Sequence, residues 1–288
     1  MLGWRIARHG MAIAAIVLLG GLLSAVLVRL APGFDVDEEQ LDPHLNAESV
    51  RALRETRLQE RNVLAFYIHS LQRAVHGDLG TSLSLGQPVT TLLRERVPLT
   101  LKLVAIGLLF SWAAAMAMAL SAAWLRASAY DALTTLVSGT FLCIPAAALA
   151  LLSVLWNVPG SLAIGLIVFP RVYRYARNLL TRAYALPHIV TARAKGLGEL
   201  RILFWHVVPV VGAQLLAVAG ISVSIAVGAA IPVEALCGLP GIGQLAWQAA
   251  LARDLPLLMN ITILVTLVTS LANSGADVIG RMLRGQEA

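Results

Sequence analysis

The sequence predicts an all-α polytopic membrane protein with six transmembrane helices, and three observations predict it. Its 288 residues are 58% hydrophobic and 13% charged, about half the charge of a soluble domain. The apolar residues gather in runs of about 20, the length that crosses ~30 Å of hydrocarbon. Twelve of the 22 Lys and Arg lie in segments 1–10, 125–131, 171–208 and 281–288, whereas the two short loops on the opposite side hold only Arg253. Positive charge marks the cytoplasmic side, so both termini are expected there. The net charge of +6 follows from this topology, and no aromatic-plus-basic platform for nucleic acid is visible. Cys143 and Cys237 have no metal-ligand spacing. They read as small apolar fillers without a disulfide.

Residues 1–33 form the first span. Arg5, Arg8 and His9 precede an apolar run from Met11 to Leu30. That run exceeds the ~7–15 residue core of a signal peptide, so it reads as an uncleaved helix. Residues 34–98 follow outside the membrane, with seven Arg against ten Asp and Glu. Asn46 is a cap and Glu48 lies in the first turn of an expected amphipathic helix over Ala47–His76 on the outer face. Leu64, Ile68, Leu71 and Val75 are its apolar stripe. His69 and His76 lie two turns apart and read as solvated residues, with a metal site as the alternative. In Gly77-Asp78-Leu79-Gly80-Thr81-Ser82 the glycines permit tight turns, and Asp78 and Ser82 are placed to bond turn amides.

Residues 99–288 form the remaining core. Span two covers 99–124, with Lys102 snorkelling to the interface. Arg126 to Asp131 make a short inner loop. Span three covers 132–156 and should kink at Pro145. Asn157-Val158-Pro159-Gly160 is a turn. Span four runs from Ser161 to Arg177 with Arg171, Arg174 and Arg177 on one face. Their expected roles are snorkelling and docking of the next loop, with substrate binding as the alternative. Span five covers Val210–Val233, where Gly212, Gly220 and Gly228 recur every eight residues, suited to close helix packing. Ser222 and Ser224 leave a pore-lining role open. Glu234 and Pro240-Gly241-Ile242-Gly243 form a turn buried in protein. Glu234 there either recognises a substrate amine or links to Arg253. The Gly-Ile-Gly is no nucleotide fingerprint, because no strand precedes it. Span six runs from Leu257 to Met282, with Asn273 and Asp277 on one face. An intramembrane carboxylate is a functional candidate by default; a structural bond to the loop below is the alternative.

The polar insert Pro187–Pro209 is the remaining segment. Thr191, Ala192, Arg193, Ala194 and Lys195 favour helix, and Gly196 before Leu197 ends it. Leu200, Leu203, Phe204 and Val207 then repeat with helical spacing. Two short helices with a bend are expected, apolar on one side and cationic at Arg193, Lys195 and Arg201. Three cations exclude it from lipid.

Thr191-Ala192-Arg193-Ala194-Lys195-Gly196-Leu197 resembles the cytoplasmic coupling loop (the "EAA" loop) of binding-protein-dependent ABC importer permeases, in the form of the oligopeptide/dipeptide/nickel branch. Further stretches resemble that branch in order. They are Gly77-Asp78-Leu79-Gly80-Thr81-Ser82 with Pro88-Val89 and Pro98-Leu99-Thr100-Leu101; Ile144-Pro145; Glu234 with Pro240-Gly241-Ile242-Gly243 and Arg253-Asp254-Leu255-Pro256; and Asn273 with Asp277. The sequence departs from the family at Phe34-Asp35, at Thr56–Arg61, in a nearly absent loop between spans three and four, and in its tail.

The resemblance implies a type I importer permease fold in a bacterial inner membrane. It implies a second homologous permease, two ATPase subunits and an extracytoplasmic substrate-binding protein as partners, besides membrane lipid. ATP and Mg would sit in the ATPases and no cofactor in this chain. The chain has no Gly-x-x-x-x-Gly-Lys-Ser/Thr phosphate loop and no recognisable nucleophile–base pair, so no catalytic residue or metal ligand is assigned. The expected function is a path for peptides or a similar small solute, with nickel-chelate or glutathione-type transport as alternatives. A secondary transporter would predict mid-membrane coupling charges and an inverted repeat. An intramembrane enzyme would need a partner for Asp277. Neither pattern is seen.

Overall fold

The computed structural model describes residues 2–30, 63–125 and 128–285, and α-helices carry most of them. In chain order they are α1 (Leu2–Leu30), α2 (Val63–Val75), α3 (Val89–Leu125), α4 (Ser128–Cys143), α5 (Ala146–Leu155), α6 (Gly160–Tyr184), α7 (Pro187–Ala194), α8 (Glu199–Ile202), α9 (Val208–Leu236), α10 (Ile242–Leu251) and α11 (Leu255–Gly285). A single π-helical turn, Leu203–Val207, joins α8 to α9. The chain forms two compact units, Met1–Val97 with Leu245–Leu267, and Pro98–Gln244 with Val268–Ala288.

Four helical stretches are long and apolar enough to cross a membrane: Gly10–Leu30, Val89–Trp124, Glu199–Leu236 and Leu255–Met282. The pair Ala129–Cys143 and Ala146–Leu155 makes a fifth if counted as one span. Its two halves meet at 96°, so Pro145 breaks the helix where a kink was expected. Proline lacks the N–H that would continue the ladder. The expected fourth span is α6, which continues past Arg177 to Tyr184. It carries Arg171, Arg174, Arg177 and Arg182 and does not qualify as a span on composition. It is instead the buried axis of the second unit, where α4, α5 and α9 pack on it. Ile164, Val168, Tyr173, Ala176 and Leu180 are fully covered along its length.

A pair that the sequence reading missed fixes α4 to α6. Arg177 Nε donates to Asp131 Oδ1 at 2.6 Å, and its Nη2 bonds the other carboxylate oxygen. A bidentate pair is the strong form of a guanidinium–carboxylate contact. Of the three glycines on α9, only Gly220 is a close approach. A Cβ there would come 2.8 Å from Ala276 Cβ on α11, while Gly212 and Gly228 face open space. Trp112 donates to Ser222 at 3.0 Å and Asn273 to Ser224 at 2.9 Å, so both hydroxyls are engaged within the bundle. Cys143 is exposed rather than filling a core, and Cys237 is half-buried near Ser153.

In the first unit α1 and α11 pack together. Ala25, Val28 and Leu255 form a small core there, and Thr262 donates to Ser24 at 3.2 Å. Helix α2 lies on α1, where Tyr67 donates to the Leu18 carbonyl at 2.6 Å. Burial pushes the Tyr67 phenol up from its ordinary value, which keeps it a donor. The buried positions of α2 are Tyr67 and Ser70. The expected stripe differs from this, since Leu64, Ile68 and Val75 are exposed. Residues 47–62 of the expected outer helix, and the departures at 34–35 and 56–61, lie outside the described residues.

Candidate functional site

The insert 187–209 is built around the end of α7. Proline at the first position suits a helix start, because the N–H it lacks would have no intrahelical partner. The helix stops at Lys195 by a paired backbone device. Leu197 N–H reaches the Ala192 carbonyl at 3.3 Å, and Gly196 N–H reaches Arg193 at 2.9 Å. This is the Schellman arrangement, which needs a left-handed residue after the cap. Gly196 supplies it with φ +76°. Ala192 and Leu197, the two ends of the longer bond, belong to the hydrophobic cluster of the second unit.

The same turn determines what each cation does. Arg193 points back across the break and donates to Glu199 at 2.7 and 3.1 Å. Donating these bonds to the Glu199 carboxylate pushes the Arg193 guanidinium up from its ordinary value. The guanidinium also lies 5.7 Å from the centre of the Tyr184 ring, within cation–π range. Tyr184 in turn accepts a hydrogen bond from Trp124 Nε1 at 3.2 Å. The insert is thus tied to the ends of α3 and α6. Lys195 and Arg201 are exposed and have no hydrogen-bond or ion-pair partner among the described residues. The sequence reading grouped all three cations together; Glu199, six residues on, separates Arg193 from the others.

The second expected helix is different in kind. Glu199–Ile202 runs through the π turn into α9, so only α7 is a separate short helix. The π turn also redistributes the apolar stripe. Ile202, Leu203 and Val207 are buried, whereas Leu200 and Phe204 are 62% and 64% exposed.

Glu234 lies at the far end of α9 and is fully buried. Its Oε2 accepts Gly243 N–H at 2.6 Å, and Thr100 Oγ1 accepts Ile242 N–H at 2.8 Å. These are the opening amides of α10, and a carboxylate is stabilising at a helix N-terminus. A Cβ on Gly241 would collide with the carboxylate, and one on Gly243 would lie 2.6 Å from Ile231 Cα. The Gly-Ile-Gly expected as a turn therefore opens α10, with Gly243 close against the α9 backbone.

In the first unit the Gly77–Ser82 motif meets Arg253-Asp254-Leu255-Pro256. Gly77, with φ +83°, ends α2 by the device used at Gly196. Asp78 Oδ1 accepts Gly80 N–H at 2.8 Å. Asp254 is buried and its Oδ2 accepts three bonds: Ser82 Oγ at 2.6 Å, Ser84 N–H at 3.0 Å and Ser84 Oγ at 2.8 Å. Its Oδ1 accepts Leu257 N–H at 3.1 Å, capping α11. Asn260 donates to the Leu79 carbonyl at 3.1 Å. Sequence reading missed Asp254 and Asn260 as the receivers of this loop. Asp277 is exposed and, among the described residues, forms no hydrogen bond.

Residues 115–285 match the family model of the binding-protein-dependent transport system inner membrane component. The match includes α7, Gly196, Glu234, Asn273 and Asp277. The chain is 28% identical to the oligopeptide transport system permease protein OppB of Salmonella typhimurium, covering 89% of this chain and 90% of that one. It is 26% identical to the oligopeptide transport system permease protein AppB of Bacillus subtilis, over 91% and 92%. It is also 26% identical to a putative peptide transport system permease protein of Brucella abortus, over 92% of each. With more than half its length matched, and with a capped basic insert between helices of the bundle, the chain belongs to the family of binding-protein-dependent transport system inner membrane components.

Proposed function

We propose that this chain is the permease subunit of an ATP-driven ABC importer for peptides, and that residues 187–209 are its coupling element. The observation that carries this reading is the break at Gly196, which presents Lys195 and Arg201 with no partner among the described residues. Cations without a local partner suit a complementary surface on another subunit. The names of the relatives support peptides as the cargo.

In this reading six spans cross a bacterial inner membrane with both termini cytoplasmic, and α6 is the fourth. Of its arginines, Arg177 is paired with Asp131, and Arg171, Arg174 and Arg182 are exposed. A second homologous permease completes the path. Two ATPase subunits hold ATP and Mg and grip the two coupling elements. An extracytoplasmic binding protein delivers cargo to an outer mouth that includes Gly77, Asp78, Leu79, Gly80 and Ser82, together with Glu234, Pro240, Gly241 and Gly243. Asn273 and Asp277 lie on the span-six face toward the inner side.

The mechanism follows from the continuity of Glu199–Leu236. A push on α7 is passed through the Leu197 contact and the Arg193–Glu199 pair into a helix that runs the full depth of the bundle. Rigid-body tilting of packed helices is a known route for switching between two states.

The test is a double reversal, Lys195→Glu with Arg201→Glu, in the complex reconstituted with its ATPases. Both residues are exposed, so folding should survive. Peptide uptake should fall at least tenfold, and the remaining association with the ATPase should lose its salt dependence. Full uptake by this variant would exclude the coupling role.

A further inference from the structure

We propose that the cavity at the break between α4 and α5 receives the C-terminal carboxylate of the transported peptide on the Arg171 guanidinium; this rests on the peptide reading above. The cavity encloses about 210 Å³ and is lined by Phe141, Cys143, Pro145, Ala146, Ile167 and Arg171 among others.

Two independent features converge on this volume. The first is a cation on the cavity wall. Arg171 stands on α6 against the break and is exposed. Among the described residues its one hydrogen bond is a long one, 3.4 Å, to the Ile167 carbonyl of its own helix. Arg177, two turns below, is by contrast paired with Asp131. A guanidinium that spends one donor on its own helix keeps others for an anion in the cavity.

The second feature is the opened backbone. The 96° break at Pro145 puts irregular main chain at the same place. Irregular backbone is tolerated at membrane depth where it is buried in protein or lines an aqueous cavity.

A cation there selects an anion. The planar fork of arginine matches a carboxylate. The volume holds a carboxylate with its flanking atoms but not a whole peptide. Every unmodified peptide carries that group whatever its sequence, so this contact would serve an importer indifferent to side chains.

The experiment uses the complete reconstituted complex with its binding protein, fed trialanine or trialanine amide. The wild type should import the acid in preference to the amide. Arg171→Gln should lower the acid-over-amide ratio roughly tenfold, the worth of a charge-assisted hydrogen bond, and Arg171→Lys should retain part of it. The binding protein is common to all three, so its own preference cancels. An unchanged ratio in Arg171→Gln overturns the proposal and leaves the peptide reading standing. If the wild type imports neither probe, the peptide reading falls and takes the proposal with it.

A second measurement does not depend on Arg171 variants folding. Cys143 lines the same cavity, and Cys237→Ser leaves it as the only cysteine. A membrane-impermeant methanethiosulfonate should modify Cys143, and trialanine should slow the reaction while its amide does not. No modification, equal protection by both probes, or equal protection by inorganic phosphate overturns the proposal.

Discussion

Gly196 holds a backbone angle, φ +76°, that costs a residue with a Cβ about 1–2 kcal/mol. Nothing lies within 4 Å of where that Cβ would be, so the cost is purely conformational. Gly196→Ala should therefore destabilise the insert by about 1–2 kcal/mol, read as faster proteolysis at 195–198. Gly196→Asn should be milder, because asparagine visits this region more readily. Equal stability in all three would mean that the cap does not limit the insert. Ser82 makes a different residue-scale statement. It donates to a buried carboxylate that accepts three other bonds. Ser82→Ala should cost about 1.5–3 kcal/mol, seen as a lower unfolding temperature with the helical signal intact. A neutral result would mean that the Ser84 contacts suffice.

At the scale of elements, α10 depends on close approach. A Cβ on Gly243 would lie 2.6 Å from Ile231 Cα and 2.8 Å from the Ala230 carbonyl. Both are backbone atoms and cannot rotate away. Gly243→Ala should destabilise by about 1–3 kcal/mol, the range for overpacking, whereas Gly212→Ala on the same α9 should be neutral. A thermal-shift series on the detergent-solubilised complex separates them, and equal shifts would contradict the packing. These two glycines also mark what could be read in advance. Four of the spans, the helix stop at Gly196 and a distortion at Pro145 were legible, because apolar length and glycine or proline chemistry act locally. The pairing of Arg177 with Asp131, of Arg193 with Glu199 and of Ser82 with Asp254 was not. Sequence gives a charge but not the neighbour that folding brings to it. The apolar stripe at 200–207 was misplaced for a related reason. A π turn adds a residue to one helical repeat, and propensity carries no sign of it.

At the scale of the whole molecule, a bundle with no phosphate loop of its own carries an insert with Lys195 and Arg201 exposed and unpaired among the described residues. The insert is anchored at both ends: Tyr184 and Trp124 hold Arg193 on one side, and the unbroken run Glu199–Leu236 leaves on the other. In the proposed coupling role, such an element would transmit a displacement instead of absorbing it. Tyr184→Ala should loosen the anchor while sparing Lys195 and Arg201. It should leave the ATPase bound but lower the peptide imported per ATP hydrolysed, and an unchanged ratio would contradict transmission through this contact. The most direct measurement is proximity. A single cysteine introduced as Lys195→Cys, with Cys143→Ala and Cys237→Ser, is treated with a short bifunctional thiol reagent in native membranes. The account predicts a cross-link to an ATPase subunit, weakened when nucleotide changes the state of the complex. Modification of that cysteine from the extracytoplasmic side, with no ATPase adduct, would contradict it.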